Sequence, residues 1–223
     1  MFRFAHPGQP APPRRMPRAP STRTDVRSVQ PRMPKLKGNI LLARLTLIDE
    51  LFGEEGRRKV WQKLTPEERE ALDDDILTGS WYESSLLTRL MTVVESELGN
   101  DDFRLTRNLG YRSAEIQLNG VYASFIRPGD PGFLLSRCPT IWRLTHDFGQ
   151  VEVRRSDKTH CVIRLLDIEA VQAHGLVGWV QRGLELSGCR QVRKRTFLRP
   201  SASDEPIFEM HWTWELEDST TAT

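Results

Sequence analysis

The hydrophobic period of this 223-residue sequence changes once, near Gly149. Before that point apolar residues recur every three or four positions, as in amphipathic helices, and the clearest case is ESSLLTRLMTVVESELG at 83–99. After it, QVEVRR and THCVIRLLDI alternate apolar and polar residues, which is typical of strands. The change predicts an α/β (α+β) fold: a helical N-terminal half, then a ββαββ segment whose small antiparallel sheet has helices packed against it.

The N-terminal half is predicted to contain several helices. The segment NILLARLTLIDELFG forms the first and ends at Gly53, and a second short helix follows to Leu64. TPEE at 65–68 has the residues of a capping box, with proline at the first helical position. Further helices are predicted over about 103–125 and 133–148, separated by the loop PGDPG, and Pro139 is expected to interrupt or to start the second of them.

The last predicted strand, IFEMHWTWELE, shows the clearest alternation in the chain. Its core-facing positions are predicted to be Phe208, Met210, Trp212, Trp214 and Leu216. The positions predicted to face away from the core are Glu209, His211, Thr213 and Glu215.

Three glycines, Gly175, Gly178 and Gly183, interrupt an otherwise regular helix predicted over 169–187. Each costs about 0.5–1 kcal/mol relative to alanine, so a structural reason is expected. A phosphate-binding loop is excluded because no Gly-Lys-Ser/Thr begins the helix. A membrane span is excluded by length and by charged residues. Close packing remains, and we expect the glycines to let the helix lie close on the sheet.

The first 37 residues differ in composition from the rest. They hold eight of the fourteen prolines, and nine Lys or Arg against one acid, whereas the remainder carries a net negative charge. We predict a disordered tail at 1–37, one domain at 38–217 and a disordered C-terminus at 218–223. A solvated extension, with Met33 as an alternative start, and a basic arm that contacts nucleic acid, anionic lipid or an acidic partner both stay open.

A resemblance follows from several short segments. VQAHGLVGWVQRGLELSG, a charged strand and IFEMHWTWE together resemble the C-terminal part of the superfamily of vinyl-reductase-type sensors, heme-nitric-oxide-binding-like proteins and TRAPP tethering subunits. LKGNILLARL, GSWYESSLLTRLM, LGYRSA and TIWRLTHDFGQVEV resemble a myxobacterial family of uncharacterised proteins. The resemblance covers about 36–216 and implies an apolar pocket or groove between the helices and the sheet.

The known ligand sites of the superfamily have few matching residues in this sequence. The zinc site of vinyl-reductase-type sensors uses clustered cysteines, and only Cys189 stands in that region. Heme-nitric-oxide sensors hold heme propionates with Tyr-x-Ser-x-Arg, whereas the nearest match here is Tyr122, Ser124 and Ile126. We therefore predict no heme, no metal and no other cofactor. No spacing of histidines, carboxylates or nucleophiles is typical of a catalytic site, so a non-enzymatic protein is expected.

Two groups of side chains are candidates for binding. Aromatic residues near the predicted helix–sheet contact would line an apolar ligand pocket, or would be ordinary core; with one cysteine, these are Trp142, Trp179, Trp212, Trp214 and Cys138. A basic strand would bind an anion, or would be a protected edge, through Arg190, Arg193, Lys194 and Arg195. Arg190 and Lys194 are expected on one face of that strand.

The sequence thus predicts a non-enzymatic sensor or adaptor that binds a small apolar ligand or a partner protein. A homodimer through the helical half is expected by analogy with the superfamily. Three widely spaced cysteines and the lack of a signal or membrane-spanning segment favour a cytoplasmic protein. Two alternatives stay open: a protein-interaction scaffold without a pocket, and a nucleic-acid-associated protein that uses the tail and strand 190–199. Nucleic acid is the less favoured partner.

Overall fold

The computed structural model describes residues 33–73, 75–201 and 206–216. Most of the predicted N-terminal tail and the predicted C-terminal tail lie outside these residues. The predicted boundary at residue 37 is too late, because Lys35–Lys37 already form a strand with Leu36 fully buried. Backbone pairing with residues 81–83 and the burial of Leu36 between two lysines fix this segment.

The elements follow the order that the change of period predicts. The helical half contains β1 (Lys35–Lys37), α1 (Gly38–Lys63), α2 (Pro66–Asp73), β2 (Trp81–Glu83), α3 (Ser84–Leu98), α4 (Arg104–Asn119), a 3₁₀ turn (Ala123–Phe125), α5 (Pro131–Leu135) and α6 (Cys138–Thr145). The second half contains β3 (Gln150–Ser156), β4 (His160–Leu166), α7 (Ala170–Leu186), β5 (Cys189–Arg199) and β6 (Ile207–Leu216). The α/β class and the ββαββ order are confirmed.

Several helix boundaries differ from the sequence-based ones. The two first helices form one element, α1, with a kink at Gly53, whose φ of 60° is outside the helical region. The helix predicted over 103–125 ends at Asn119, and only a 3₁₀ turn follows. The helix predicted over 133–148 is two short helices, α5 and α6. The capping box is present: Glu68 N donates to Thr65 Oγ1, and Thr65 N donates to Glu68 Oε2.

The main sheet has four antiparallel strands in the order β3-β4-β6-β5. β4 and β5 both pair with β6 and so run parallel to each other, and α7 is the crossover between them. On β6, Phe208, Met210, Trp212 and Trp214 are buried, as predicted. Glu209 is buried as well, although it belongs to the opposite face. Arginine and histidine side chains cover it there.

Apolar side chains form two clusters. One lies between the sheet and helices α4, α6 and α7 and includes Trp142, Trp179 and Trp212. The other lies among α1, α3 and α4 and includes Leu41, Leu90 and further leucines. Among the described residues no helix is both long and apolar enough to cross a membrane.

The glycines of α7 pack mainly against helix α4. A Cβ on Gly178 would overlap the carbonyl oxygen of Arg107, and a Cβ on Gly110 of α4 would overlap the carbonyl oxygen of Gly175. A Cβ on Gly183 would overlap Leu134. The prediction of close packing was correct, but the expected packing partner was wrong. Gly175 and Gly178 let α7 approach the backbone of helix α4, and not the sheet.

Candidate ligand-binding cavity

A cavity of about 80 Å³ lies where the two apolar clusters meet. Its walls come from five helices, α1, α3, α4, α6 and α7. Most of the lining is apolar, with a small number of polar groups, which is the usual composition of a small-molecule site. The tight contact between α4 and α7 forms one side, because Gly175 is part of the lining.

Three of the five predicted ligand-binding residues line this cavity: Cys138, Trp142 and Trp179. Both indole N–H groups are held by other partners. Trp142 Nε1 donates to the carbonyl oxygen of Phe148 at 2.8 Å, and Trp179 Nε1 donates to Gln117 Oε1 at 2.9 Å. The two indoles therefore offer apolar ring surface to the cavity and no free donor.

The other two predicted residues, Trp212 and Trp214, lie in the cluster under the sheet and outside the cavity lining. Trp212 is fully buried beside the strands, and Trp214 Nε1 donates to the carbonyl oxygen of Lys158. Sequence alternation places both on the packed face of β6 but does not tell which apolar side chains leave space beside them.

Arg44 of α1 is a cavity residue that the sequence analysis missed. Its Nη1 donates to the carbonyl oxygen of Leu109 at 3.1 Å and to Ser113 Oγ, both on α4. Within the described part of the chain, no carboxylate forms an ion pair with it. Burial lowers the pKa of its guanidinium to about 10, so it keeps its charge at neutral pH.

The signal for Arg44 was present in the sequence. It follows Leu41 by three positions and precedes Ile48 by four, so a cation stands within the apolar stripe of α1. A charged residue at such a position is rarely buried without a partner.

His146 also lines the cavity and stacks on the indole of Trp142. Its Nδ1 lies 2.9 Å from Thr145 Oγ1. Burial lowers the pKa of His146 to about 4, and the positive charge of Arg44 adds to this effect. His146 is therefore neutral at neutral pH, which leaves Arg44 as the charged residue of the lining.

Two polar atoms at the cavity are buried and have no hydrogen-bond partner: Thr106 Oγ1 and Gln172 Oε1. The other amide atom of Gln172, Nε2, donates to Thr88 Oγ1 at 3.3 Å. Buried polar atoms without partners are uncommon in folded proteins. These two need either a water or a ligand atom.

The cysteines have the properties of buried apolar side chains. Cys138, Cys161 and Cys189 are free and buried, and burial raises the pKa of each thiol to about 12. Within residues 33–73, 75–201 and 206–216, no group of three or more His, Cys, Asp and Glu side chains is arranged to hold a metal ion.

The basic strand, β5, is an edge strand of the main sheet, and none of its four predicted anion-binding residues lines the cavity. Lys194 pairs with Trp212 and reaches Gln181 Oε1 of α7, whereas Arg195 pairs with His211 on the outer face. A bulge between Arg190 and Arg193 shifts the register, so Arg190, opposite Glu215, shares the outer face with Arg193 and Arg195. The expected pairing of Arg190 with Lys194 on one face was wrong for this reason.

No profile of a known protein family matches the sequence, and no curated protein matches it. Solved structures do match. The Fe(II) unliganded H-NOX protein from K. algicida has a TM-score of 0.64 and 12% identity, over 84% of this chain and 100% of that one. The fold is that of the H-NOX domains. An oxygen-binding H-NOX domain related to soluble guanylate cyclases has a TM-score of 0.60 and 11% identity, over 81% and 95%. A mutant of T. Tengcongensis H-NOX has a TM-score of 0.62 and 9% identity, over 81% and 98%.

The fold thus agrees with the resemblance to heme-nitric-oxide-binding-like proteins. Because the sequence identities are low, this agreement concerns the fold alone. The cavity does not fit heme. Its volume of about 80 Å³ is smaller than the roughly 150 Å³ of an engineered cavity that binds benzene. A porphyrin, with four pyrrole rings, is much larger than benzene. Tyr122, Ser124 and Ile126, the nearest match to the propionate motif, lie outside the cavity lining.

Proposed function

We propose that this domain binds a small molecule in the cavity between α1, α3, α4, α6 and α7 and acts as a non-enzymatic sensor or adaptor. The observation that carries the proposal is the cavity itself: a preformed, mostly apolar space with a few polar groups, lined by Cys138, Trp142 and Trp179. A similar fold serves ligand capture in an oxygen-binding H-NOX domain.

The chemistry of the lining favours binding over catalysis. The Cys138 thiol has a pKa of about 12 and is not a nucleophile at neutral pH. His146 has a pKa of about 4, and its Nδ1 is engaged by neighbouring groups, so it is a weak base. Neither residue has the tuned pKa that a general acid or base needs near pH 7.

The test uses xenon, an uncharged apolar probe of suitable size. We expect saturable chemical-shift changes in NMR spectra at Trp142, Trp179 and Met91 under xenon pressure. Leu87→Phe fills part of the cavity and should weaken xenon binding. Leu86→Phe, on the adjacent residue outside the lining, is the matched control and should bind as the wild type does.

Native mass spectrometry of the full chain complements this test. A noncovalent excess mass, absent after denaturation, would supply the natural ligand. An apo mass together with no saturable xenon binding would contradict the proposal and favour a scaffold without a functional pocket. Homodimerisation through the helical half stays a prediction, and the same spectrum measures it.

A further inference from the structure

Arg44 is a partly buried cation that has no ion-pair partner among the described residues. The described residues give it two neutral acceptors, the carbonyl oxygen of Leu109 and Ser113 Oγ, and no carboxylate. An uncompensated buried charge is costly, and folded proteins normally pair such a group. Arg44 therefore presents to the cavity a positive charge that the anion of a ligand can neutralise.

The orientation of the guanidinium leaves one edge free. Both hydrogen bonds involve Nη1, and no described acceptor is bonded to Nη2 or Nε. In a planar guanidinium, the Nε–H and Nη2–H groups point in parallel, the arrangement that binds both oxygens of one carboxylate. Arg44 is thus fixed to α4 on one side and has a carboxylate-binding edge on the other.

The free edge lies at Gly175, which also lines the cavity. A Cβ on Gly175 would be 3.4 Å from Arg44 Nη2 and 3.9 Å from Thr106 Cγ2, so both side chains border the same space. Gln172, one helical turn earlier on α7, adds an unpartnered amide oxygen, which accepts from a water beside the ligand and not from a carboxylate. These buried polar groups form one corner of an otherwise apolar cavity.

Charge and size restrict the anion further. Arg44 is the charged residue of the lining, and His146 is neutral there. The cavity therefore compensates the charge of a monoanionic ligand but not that of a dianionic one. The remaining walls, including Leu87, Met91 and Trp142, suit a hydrocarbon chain. A volume of about 80 Å³ admits only a short one.

We propose that the cavity takes a short-chain monocarboxylic acid as its anion, with the carboxylate on Arg44 and the alkyl chain against the tryptophans. This proposal rests on the proposed function, since it names the ligand class of the same cavity. Thr106 Oγ1 donates a further hydrogen bond to the carboxylate. The sequence-based expectation of a purely apolar ligand is then too narrow.

The experiment compares propionate with propionamide, which has the same shape and no charge. NMR titration of the full chain should show propionate binding at least tenfold more tightly than propionamide, with shifts at Thr106 and Gln172. Arg44→Met should abolish this preference by weakening propionate binding at least tenfold, a typical loss for a charged hydrogen bond. The affinity for propionamide, which offers Arg44 one neutral acceptor, should fall by a smaller factor.

Each outcome decides one point. Equal binding of propionate and propionamide, or no binding of propionate by a protein that still binds xenon, overturns the carboxylate proposal and leaves the cavity as an apolar site. Failure to bind xenon as well overturns the proposed function itself. If Arg44→Met does not fold, Arg44→Lys serves instead: it keeps the charge but lacks the two-nitrogen edge, so propionate binding should weaken while part of the preference over propionamide remains, and an unchanged propionate affinity would contradict the role of that edge.

Discussion

His146 lies flat against Trp142, with ring centroids 3.7 Å apart and ring planes 2° from parallel. Both rings line the cavity and are buried, so the imidazole has little contact with water. Burial therefore holds the pKa of His146 at about 4, against an ordinary value of 6.5. His174 has a lowered pKa of about 4 through burial and the nearby Arg107.

The free energy of unfolding should fall as pH decreases from 6.5 towards 4. In this range the unfolded chain binds protons at these histidines and the folded protein does not, so acid favours unfolding. The contribution of His146 is about 3 kcal/mol over the whole range. Urea unfolding at several pH values measures the slope. His146→Phe should reduce it, and an unchanged slope in this variant would show that His146 is protonated normally in the fold.

Alanine substitutions at the α4–α7 contact should have unequal effects. Gly110→Ala and Gly178→Ala place a Cβ against a backbone carbonyl and should destabilise the protein by about 1–3 kcal/mol or more. Gly175→Ala meets only ordinary contacts at 3.4 Å and 3.9 Å, and its better helix propensity offsets part of any cost. Thermal unfolding of the three variants should give this order. Equal losses at all three positions would contradict the packing described for the two helices.

Glu209 should stabilise the folded protein through its contacts on the outer face of the sheet. Its carboxylate accepts hydrogen bonds from His211 at 2.6 Å, Arg164 at 2.7 Å and Arg199 at 3.3 Å. These donors lower the pKa of Glu209 to about 2, so its stabilising effect is complete above pH 4.5 and is lost as pH falls towards 2.

Glu209→Gln should therefore lower the free energy of unfolding at neutral pH by about 1–3 kcal/mol. Glu215→Gln, on the same strand at an exposed position, is the control and should change it little. Chemical denaturation near pH 7 measures both variants, and a Glu209→Gln protein as stable as the control would contradict the role of this cluster.

The thiols should be unreactive in the folded protein. Burial raises the pKa of Cys138 and Cys161 to about 12, so almost no thiolate is present at neutral pH. Iodoacetamide labelling followed by mass spectrometry should be slow in buffer and fast in denaturant. Rapid labelling of Cys138 without denaturant would mean that the cavity opens to solvent.

Much of the fold was predictable because several of its helices and strands have a clear hydrophobic periodicity. β6 is half-buried, so its alternation identified the buried face directly, and α3 was equally clear. The ends of the helices were harder to predict. The end of α4 and the break between α5 and α6 nevertheless have local signals, because Gly120 is the C-cap of α4 and Pro139 stands in the first turn of α6.

The site was predictable only in part, because a cavity depends on which side chains fail to fill a space. Trp142 and Trp179 border that space and Trp212 does not, although all three have the same chemistry. Likewise, the glycines of α7 indicated a close neighbour but not that it is α4. Arg44 could have been found from its place in an apolar stripe.

The α4–α7 contact joins the two halves of the chain that the sequence separates by period. α7 is also the crossover between β4 and β5 and lines the cavity together with α4, so the cavity has walls from both halves of the chain. At Gly110 and Gly175 the two helices touch backbone to backbone, so no side chain can yield there, and a shift of one helix has to displace the other.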